Sequence, residues 1–186
     1  TVPEEARGLP GAWQAEASAN ETGAVALFRR CGYVPFRFAY DMTRDLSAPI
    51  PSLPLPPGIE LRPARPEHYR AIWEAEREAF SGNWGYTPWP EENYQRFLAY
   101  PHYDPALWRI AWEGDQVVGM VLSFVNVEEN AAFGRLRGYT EDIAVRRPWR
   151  RKGVASALLA DSLRALRDRG LSQAALGVDA ENPRAL

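Results

Sequence analysis

The stretch Val145–Leu159, VRRPWRRKGVASALL, concentrates residue types that bind anions. It holds Arg146, Arg147, Arg150, Arg151 and Lys152, the chain's only lysine, and then turns to small and aliphatic residues. The whole chain carries 22 Lys and Arg against 24 Asp and Glu, a net charge of −2, so it is not a polycation and the cluster needs a local reason. Val145 reads as a strand end, Pro148 breaks the strand, and a helix opens near Arg151. The first amides of a helix lack an internal partner and point outward, and the helix dipole adds partial positive charge there. Together these bind phosphate. Gly153 and Ala155 keep the rim bare, so a bulky pyrophosphate can reach the amides. Arg150, Arg151 and Lys152 add charge at the mouth. A solvated basic turn is the plain alternative. A nucleic-acid grip through the arginines and Trp149 is a third reading, and the acidic balance of the chain argues against it.

The elements that must position this turn can be read from periodicity. Ser47–Gly58 holds five prolines in twelve residues. It reads as an extended linker able to span on the order of 35 Å. It sets residues 1–46 apart from 59–186. Ile59–Arg62 is a strand, and Pro66 fits the first turn of a helix. Tyr69, Ile72, Trp73 and Phe80 then recur at helical spacing, with Glu74, Arg77 and Glu78 on other faces. SGNWGYTPWP is a loop, and EENYQRFLAY a short helix. Two apolar runs around Glu113-Gly114-Asp115 signal a hairpin. EENAAFG is a polar turn, and LRGYTEDIAV a further strand. Arg151–Arg169 is a helix with Val154, Leu158, Leu159, Leu163 and Leu166 on one stripe and Gly170 as its stop. SQAALGVDAENPRAL is a strand and the start of a helix. The order predicts a mixed α/β domain, of α+β type, with a largely antiparallel twisted sheet flanked by helices.

Composition narrows the classes. Hydrophobic residues make up 46% and charged residues 25%, which suits a protein with a real core. The single cysteine, Cys31, allows no intrachain disulfide and is expected to be a small buried residue, in keeping with a cytoplasmic location. No apolar run of about 18 residues is present, so no membrane span or membrane partner is expected. The first residues show no signal-peptide pattern and no initiator Met, so a fragment is expected. His68 and His102 are isolated, without metal spacing.

Arg150-Arg151-Lys152-Gly153-Val154-Ala155 resembles the Arg/Gln-x-x-Gly-x-Gly/Ala signature of the GNAT N-acetyltransferase superfamily. TEDIAV before it resembles that family's fourth strand. GVDAENPRAL resembles its fifth strand and the Asn opening the next helix. The resemblance implies an acetyl-coenzyme A site in a groove where those two strands splay apart. The amides of Arg151, Gly153, Ala155 and Ser156, with Val154 between them, would hold the pyrophosphate. The backbone of Ile143, Ala144 and Val145 would pair with the pantetheine arm, and Asn182 would line the far wall.

The family's last helix would follow Leu186, yet ASANETGAVALFRRCGYVPFRFAYDMTRDL near the N-terminus resembles it. Asn20 stands where Asn182 does, followed by Ala24, Leu27, Phe28, Gly32 and Tyr33. The whole is similar to two-copy acetyltransferases of the mycothiol-synthase type. Residues 1–46 would be the end of one copy, 47–58 a linker and 59–186 most of the next. Alternatively, the N-terminal piece completes the domain, within the chain or swapped between chains. A strand within residues 34–42 would cover an exposed sheet edge. Pairing with the other copy or with a second chain is expected in either case.

The resemblance implies direct acetyl transfer to the primary amine of a small molecule. Such an amine is mostly protonated at neutral pH, and a carboxylate can take the proton. Adjacent strand residues point to opposite faces, so of Glu141 and Asp142 only one faces the acceptor. The resemblance favours Glu141. An oxyanion donor is expected from a backbone amide near Ile143. The family's usual acid is a tyrosine of the last helix, and Phe28 occupies that place in the N-terminal echo. This leaves a non-catalytic acyl-coenzyme A-binding or scaffolding module as the alternative. Trp84, Tyr86 and Trp89 would shape the acceptor pocket or simply pack their loop. Glu128 and Glu129 could draw a cationic acceptor.

Overall fold

A six-stranded sheet carries the charged turn and the acidic strand. The computed structural model describes residues 14–182, and the chain divides into two compact units between Phe38 and Ala39. The first unit contains α1 (Thr22–Arg30), where the Phe28 and Tyr33 rings lie 5.6 Å apart. Cys31 is exposed there, against expectation.

The second unit contains β1 (Ala39–Asp45), β2 (Glu60–Arg62), α2 (Tyr69–Phe80), α3 (Glu91–Leu98), β3 (Arg109–Glu113), β4 (Gln116–Phe124), α4 (Val127–Phe133), β5 (Arg137–Val145), α5 (Val154–Asp168) and β6 (Gln173–Asp179). The strand order is β1-β6-β5-β4-β3-β2. Every neighbouring pair is antiparallel except β5 and β6. This is the expected mixed α/β architecture with a mostly antiparallel sheet.

The two faces are buried by different helices. Ile72, Trp73 and Ala79 of α2 and Phe97 of α3 pack on Ile110, Met120, Leu122 and Ala144. Val154 and Leu158 of α5 pack on Ala111, Val118 and Val121, while Leu163 and Leu166 meet Leu46, Leu107 and Ala174. β4 is therefore covered on both faces, which explains why its apolar residues run on without alternation.

Three local readings change. EENAAFG is not a turn but belongs to α4; the Asn126 side chain caps it by accepting from the Glu129 amide, and Gly134 ends it with a left-handed φ of 59°. The helix expected from Arg151 begins at Val154, because Arg151 (φ 63°) and Gly153 (φ 86°) are not helical. The edge strand expected within 34–42 runs from Ala39 to Asp45 and pairs with β6 along its whole length.

The proline-rich stretch does not separate two bodies. β1 and β2 lie at opposite edges of the sheet, about 24 Å apart for five strand spacings, a distance that an extended stretch of this length can bridge. Ile50 and Leu55 pack against the core on the α5 side, and Arg164 of α5 donates to the Pro51 carbonyl at 3.0 Å. The segment is a strap across α5. The compact unit starts at Ala39, earlier than the sequence-based division.

Close packing at Gly119 holds β4 against β5. A Cβ there would lie 2.7 Å from the Ala144 carbonyl oxygen and 3.0 Å from Val145 Cγ2. Backbone cannot swing aside as a side-chain tip can. Gly119→Ala is expected to lower unfolding stability by about 1–3 kcal/mol, read from urea denaturation. Unchanged stability would show that the strands separate more easily than this packing implies.

Candidate active site

The site begins where β5 and β6 part. Their parallel pairing covers only Arg137–Tyr139 against Gln173–Ala175. The Thr140 hydroxyl makes a last, long contact of 3.4 Å with the Ala175 carbonyl. Beyond it, Leu176–Asp179 pair with β1 on their other side. Residues 140–145 keep their partners on β4 but present an unpaired backbone edge towards β6. That edge is interrupted by a bulge. Glu141 lies opposite Leu122 and Ala144 opposite Met120, so Asp142 and Ile143 together face the single residue between. Asp142 takes a φ of 48°, a costly conformation for a residue other than glycine and one that concentrates at functional sites. The expected splay is thus present, and Ile143, Ala144 and Val145 lie along its edge.

The charged turn follows directly. Arg147–Trp149 form a 3-10 turn. The Arg150 guanidinium donates to the Val145 carbonyl at 2.8 Å and the Ala79 carbonyl at 2.9 Å, so it braces the turn against β5 and α2. Arg146 bonds the Val117 carbonyl and pairs with Glu78 at 2.8 Å. Arg151, Lys152, Gly153, Ala155 and Ser156 are exposed, while Val154 is buried and anchors the helix. No side chain caps the start of α5. The first helical acceptor in use is the Gly153 carbonyl, bonded by the Ala157 amide, so the amides of Val154, Ala155 and Ser156 precede the helical ladder. A Cβ on Gly153 would meet nothing within 4 Å. These residues form a bare, cationic rim that fits a diphosphate. Asn182 lies just past β6, partly buried, with its amide on the Asp179 carbonyl at 3.0 Å. Trp149 is buried, with its indole N–H on Glu113 at 3.2 Å and Arg146 over its ring. It is not available to stack on a base.

The acids separate in an unexpected way. The Glu141 carboxylate reaches the Gly177 amide across the splay, and burial followed by the neighbouring Asp142 charge pushes its pKa up. Asp142 turns instead towards α2. It accepts from the Tyr103 hydroxyl at 3.0 Å and shares a hydrogen bond with Glu76. Glu76 is 4% exposed. Burial first, and then the charge of Asp142, raises its pKa from 4.5 to about 9. Burial likewise raises Asp142 and Tyr103. Two buried carboxyls in contact oppose each other's ionisation.

Glu76 and Tyr103 line an open cavity of about 250 Å³, together with Trp73, Trp89, Phe97 and Tyr100, with Asn93 and Arg96 also contributing. Sequence reading missed both Glu76 and Tyr103. The signal for Glu76 was its place on the apolar stripe of α2, three residues after Trp73. Of the expected pocket aromatics, Trp89 joins this cavity and packs 6.3 Å from the Trp73, Phe80 and Tyr86 rings. Trp84 is 60% exposed. Glu129 is bound to Arg135 and to the Tyr139 hydroxyl, so it is held at the start of β5. His68 lies against Trp112, and His102 stacks on Phe124. Among the described residues no cluster could hold a metal ion, and no helix is long and apolar enough to cross a membrane.

A raised carboxyl costs stability once the unfolded chain can ionise freely. Between about pH 4.5 and about pH 9 the folded Glu76 keeps a proton that the unfolded one has lost. The folded state binds more protons, so stability falls as pH rises, by up to about 1.4 kcal/mol per unit. Glu76→Gln is expected to flatten that slope in urea denaturation at pH 5 to 9. Parallel pH profiles for both proteins would contradict the buried acid.

Comparison with known proteins agrees with this geometry. The pattern of the Acetyltransferase (GNAT) family matches residues 69–186. A mycothiol acetyltransferase of Thermobispora bispora is 31% identical over 179 residues, which cover 96% of this chain and 56% of that protein. The crystal structure of a GCN5-related N-acetyltransferase from Sphaerobacter thermophilus superposes with a TM-score of 0.71 at 33% identity, over 89% of this chain and 50% of that one. A GNAT family acetyltransferase from Brucella melitensis, solved in complex with acetyl-CoA, shares the fold at 18% identity and a TM-score of 0.51, over 63% of this chain and 74% of that one. The chain spans about half the length of the first two.

Proposed function

Because the chain belongs to the acetyltransferase (GNAT) family, we propose that it moves an acetyl group directly from acetyl-coenzyme A to the primary amine of a small molecule. The observation that carries this reading is the unpaired, bulged half of β5 leading into the bare start of α5. The amides of Arg151, Gly153, Val154, Ala155 and Ser156 hold the diphosphate, and Arg151 and Lys152 supply charge. The edge of Ile143, Ala144 and Val145 takes the pantetheine arm as an added strand, with Asn182 on the far side. A backbone amide near Ile143 stabilises the oxyanion. Glu141, in the splay, takes the proton of the amine. Acetyl-coenzyme A supplies an activated acyl carbon; the chain orients it and manages protons.

The names of the relatives make a mycothiol-related amine the first acceptor to assay. The two-copy origin belongs to the same proposal. The fraction of its relatives that the chain spans supports it, as does the resemblance of residues 1–46 to the end of a copy.

Calorimetry with acetyl-coenzyme A, followed by thiol release with an amine panel, tests the function. Saturable binding and amine-dependent thiol release are expected. Absence of binding would refute the enzyme reading, whereas binding without release from any amine would favour the non-catalytic acyl-coenzyme A module.

A further inference from the structure

The bulge in β5 is held from outside its own strand. Asp142 takes a φ of 48° there. Aspartate visits the left-handed region more readily than most residues, because its short side chain can bond to nearby backbone. Here the partners are distant in the chain instead. The Tyr103 hydroxyl donates to Asp142 Oδ2 at 3.0 Å across 39 positions, and the Glu76 carboxyl shares a hydrogen bond with the same side chain. Both partners are themselves fixed. Tyr103 makes a backbone bridge to Phe124 at the end of β4, and its ring packs 5.3 Å from Phe97 and 5.2 Å from Trp108. Glu76 is buried on α2. A strained conformation persists where its surroundings over-determine it, and these two contacts do so.

Asp142 and Ile143 share one place opposite β4, while Ala144 and Val145 resume regular pairing with Met120 and Gly119. Val145 packs closely on Gly119, which holds the strand in register beyond the bulge. A change at Asp142 is therefore felt chiefly at the peptide joining it to Ile143. That peptide carries the Ile143 amide, which meets the oxyanion in the proposed reaction. Resting on the acetyltransferase reading, we propose that Asp142 is a positioning residue for acyl transfer. Its side chain, tied to Tyr103 and Glu76, holds the left-handed backbone that aims the Ile143 amide at the acyl oxygen. The role needs an anchored side chain and a residue that accepts positive φ. It does not need a charge.

Asp142→Ala, Asp142→Asn, Asp142→Gly and Tyr103→Phe separate the anchor from the charge. Turnover is read as thiol release from acetyl-coenzyme A with the best acceptor of the amine panel, and coenzyme A affinity by calorimetry. NMR chemical shifts of labelled protein report the backbone conformation at position 142. Asp142→Ala loses both the anchor and the tolerance of positive φ. It is expected to lower kcat about a hundredfold, the order seen when a group beside the reacting atoms is misplaced by about 1 Å. Coenzyme A should bind this variant within about threefold of its usual affinity, because the lost interaction belongs to the transition state. Asp142→Asn keeps the shape, accepts positive φ and can bond both neighbours, so it should recover most of the loss. Asp142→Gly has the backbone freedom without the anchor and should recover less. Tyr103→Phe should lower kcat by itself and add little to Asp142→Ala, since both act through one contact. An Asn variant as poor as the Ala variant would assign the effect to charge and overturn the proposal. So would a Gly variant as active as the unaltered protein, which would make the anchor needless. Residue 142 still left-handed in the Ala variant would overturn it without any substrate present. Absence of thiol release from the unaltered protein would count against the acetyltransferase reading, and the conformation at position 142 would still decide whether the anchor holds the bulge.

Discussion

Gly153→Val is expected to weaken acetyl-coenzyme A binding at least about a hundredfold while leaving the protein folded. Gly153 has a φ of 86° at the entry to α5. A β-branched residue is disfavoured there by about 1–2 kcal/mol, so the turn must distort or hold strain. For a domain of this size that corresponds to a loss of only about 2–8 °C in Tm. The effect on the ligand is larger, because the new side chain projects into the open space in front of the first amides of α5. In the proposed function those amides supply the diphosphate contacts, and charge-assisted bonds of this kind are among the stronger ones in proteins. Calorimetry and a thermal melt separate the two effects. Wild-type affinity in a folded Gly153→Val protein would remove the anion site on which the proposed function stands.

Glu141→Gln is expected to lower turnover by about 10²–10⁴-fold, the usual range for losing a positioned general base. The amide side chain can still accept the hydrogen bond from Gly177 that Glu141 now accepts, so the splay and the acetyl-coenzyme A affinity should persist. Burial and the Asp142 charge raise the Glu141 pKa, bringing it nearer to neutral pH, where a base transfers protons most effectively. The activity of the unaltered enzyme should therefore rise with pH as Glu141 ionises, and that limb should vanish in the variant. A turnover within threefold of the unaltered protein would assign the proton to another group.

Much of the fold was legible because its signals are local. The stripe of α5, the hairpin around Gly114 and the turn from Pro148 to Gly153 each depend on residues a few positions apart. Periodicity and turn chemistry report such contacts directly. The bare start of α5 belongs to this class, since a helix start needs nothing from elsewhere in the chain to leave its amides bare.

The acids belong to the other class. Strict alternation along β5 would send Glu141 and Asp142 to opposite faces. The bulge instead lets one reach β6 and the other meet α2. Which residues oppose each other is fixed by the register of β4, and no pattern within TEDIAV encodes it. Glu76 is buried because α2 packs over that bulge, and its raised pKa follows from the packing. The proline-rich strap reads as a tether until the strand order places its two ends at opposite edges of one sheet. The sequence by itself determined most of the elements and the cationic turn, because these follow from neighbouring residues. Only the tertiary structure decided the bulge, the carboxyl pair and the cavity, because each depends on segments that chain order keeps apart and the sheet brings together.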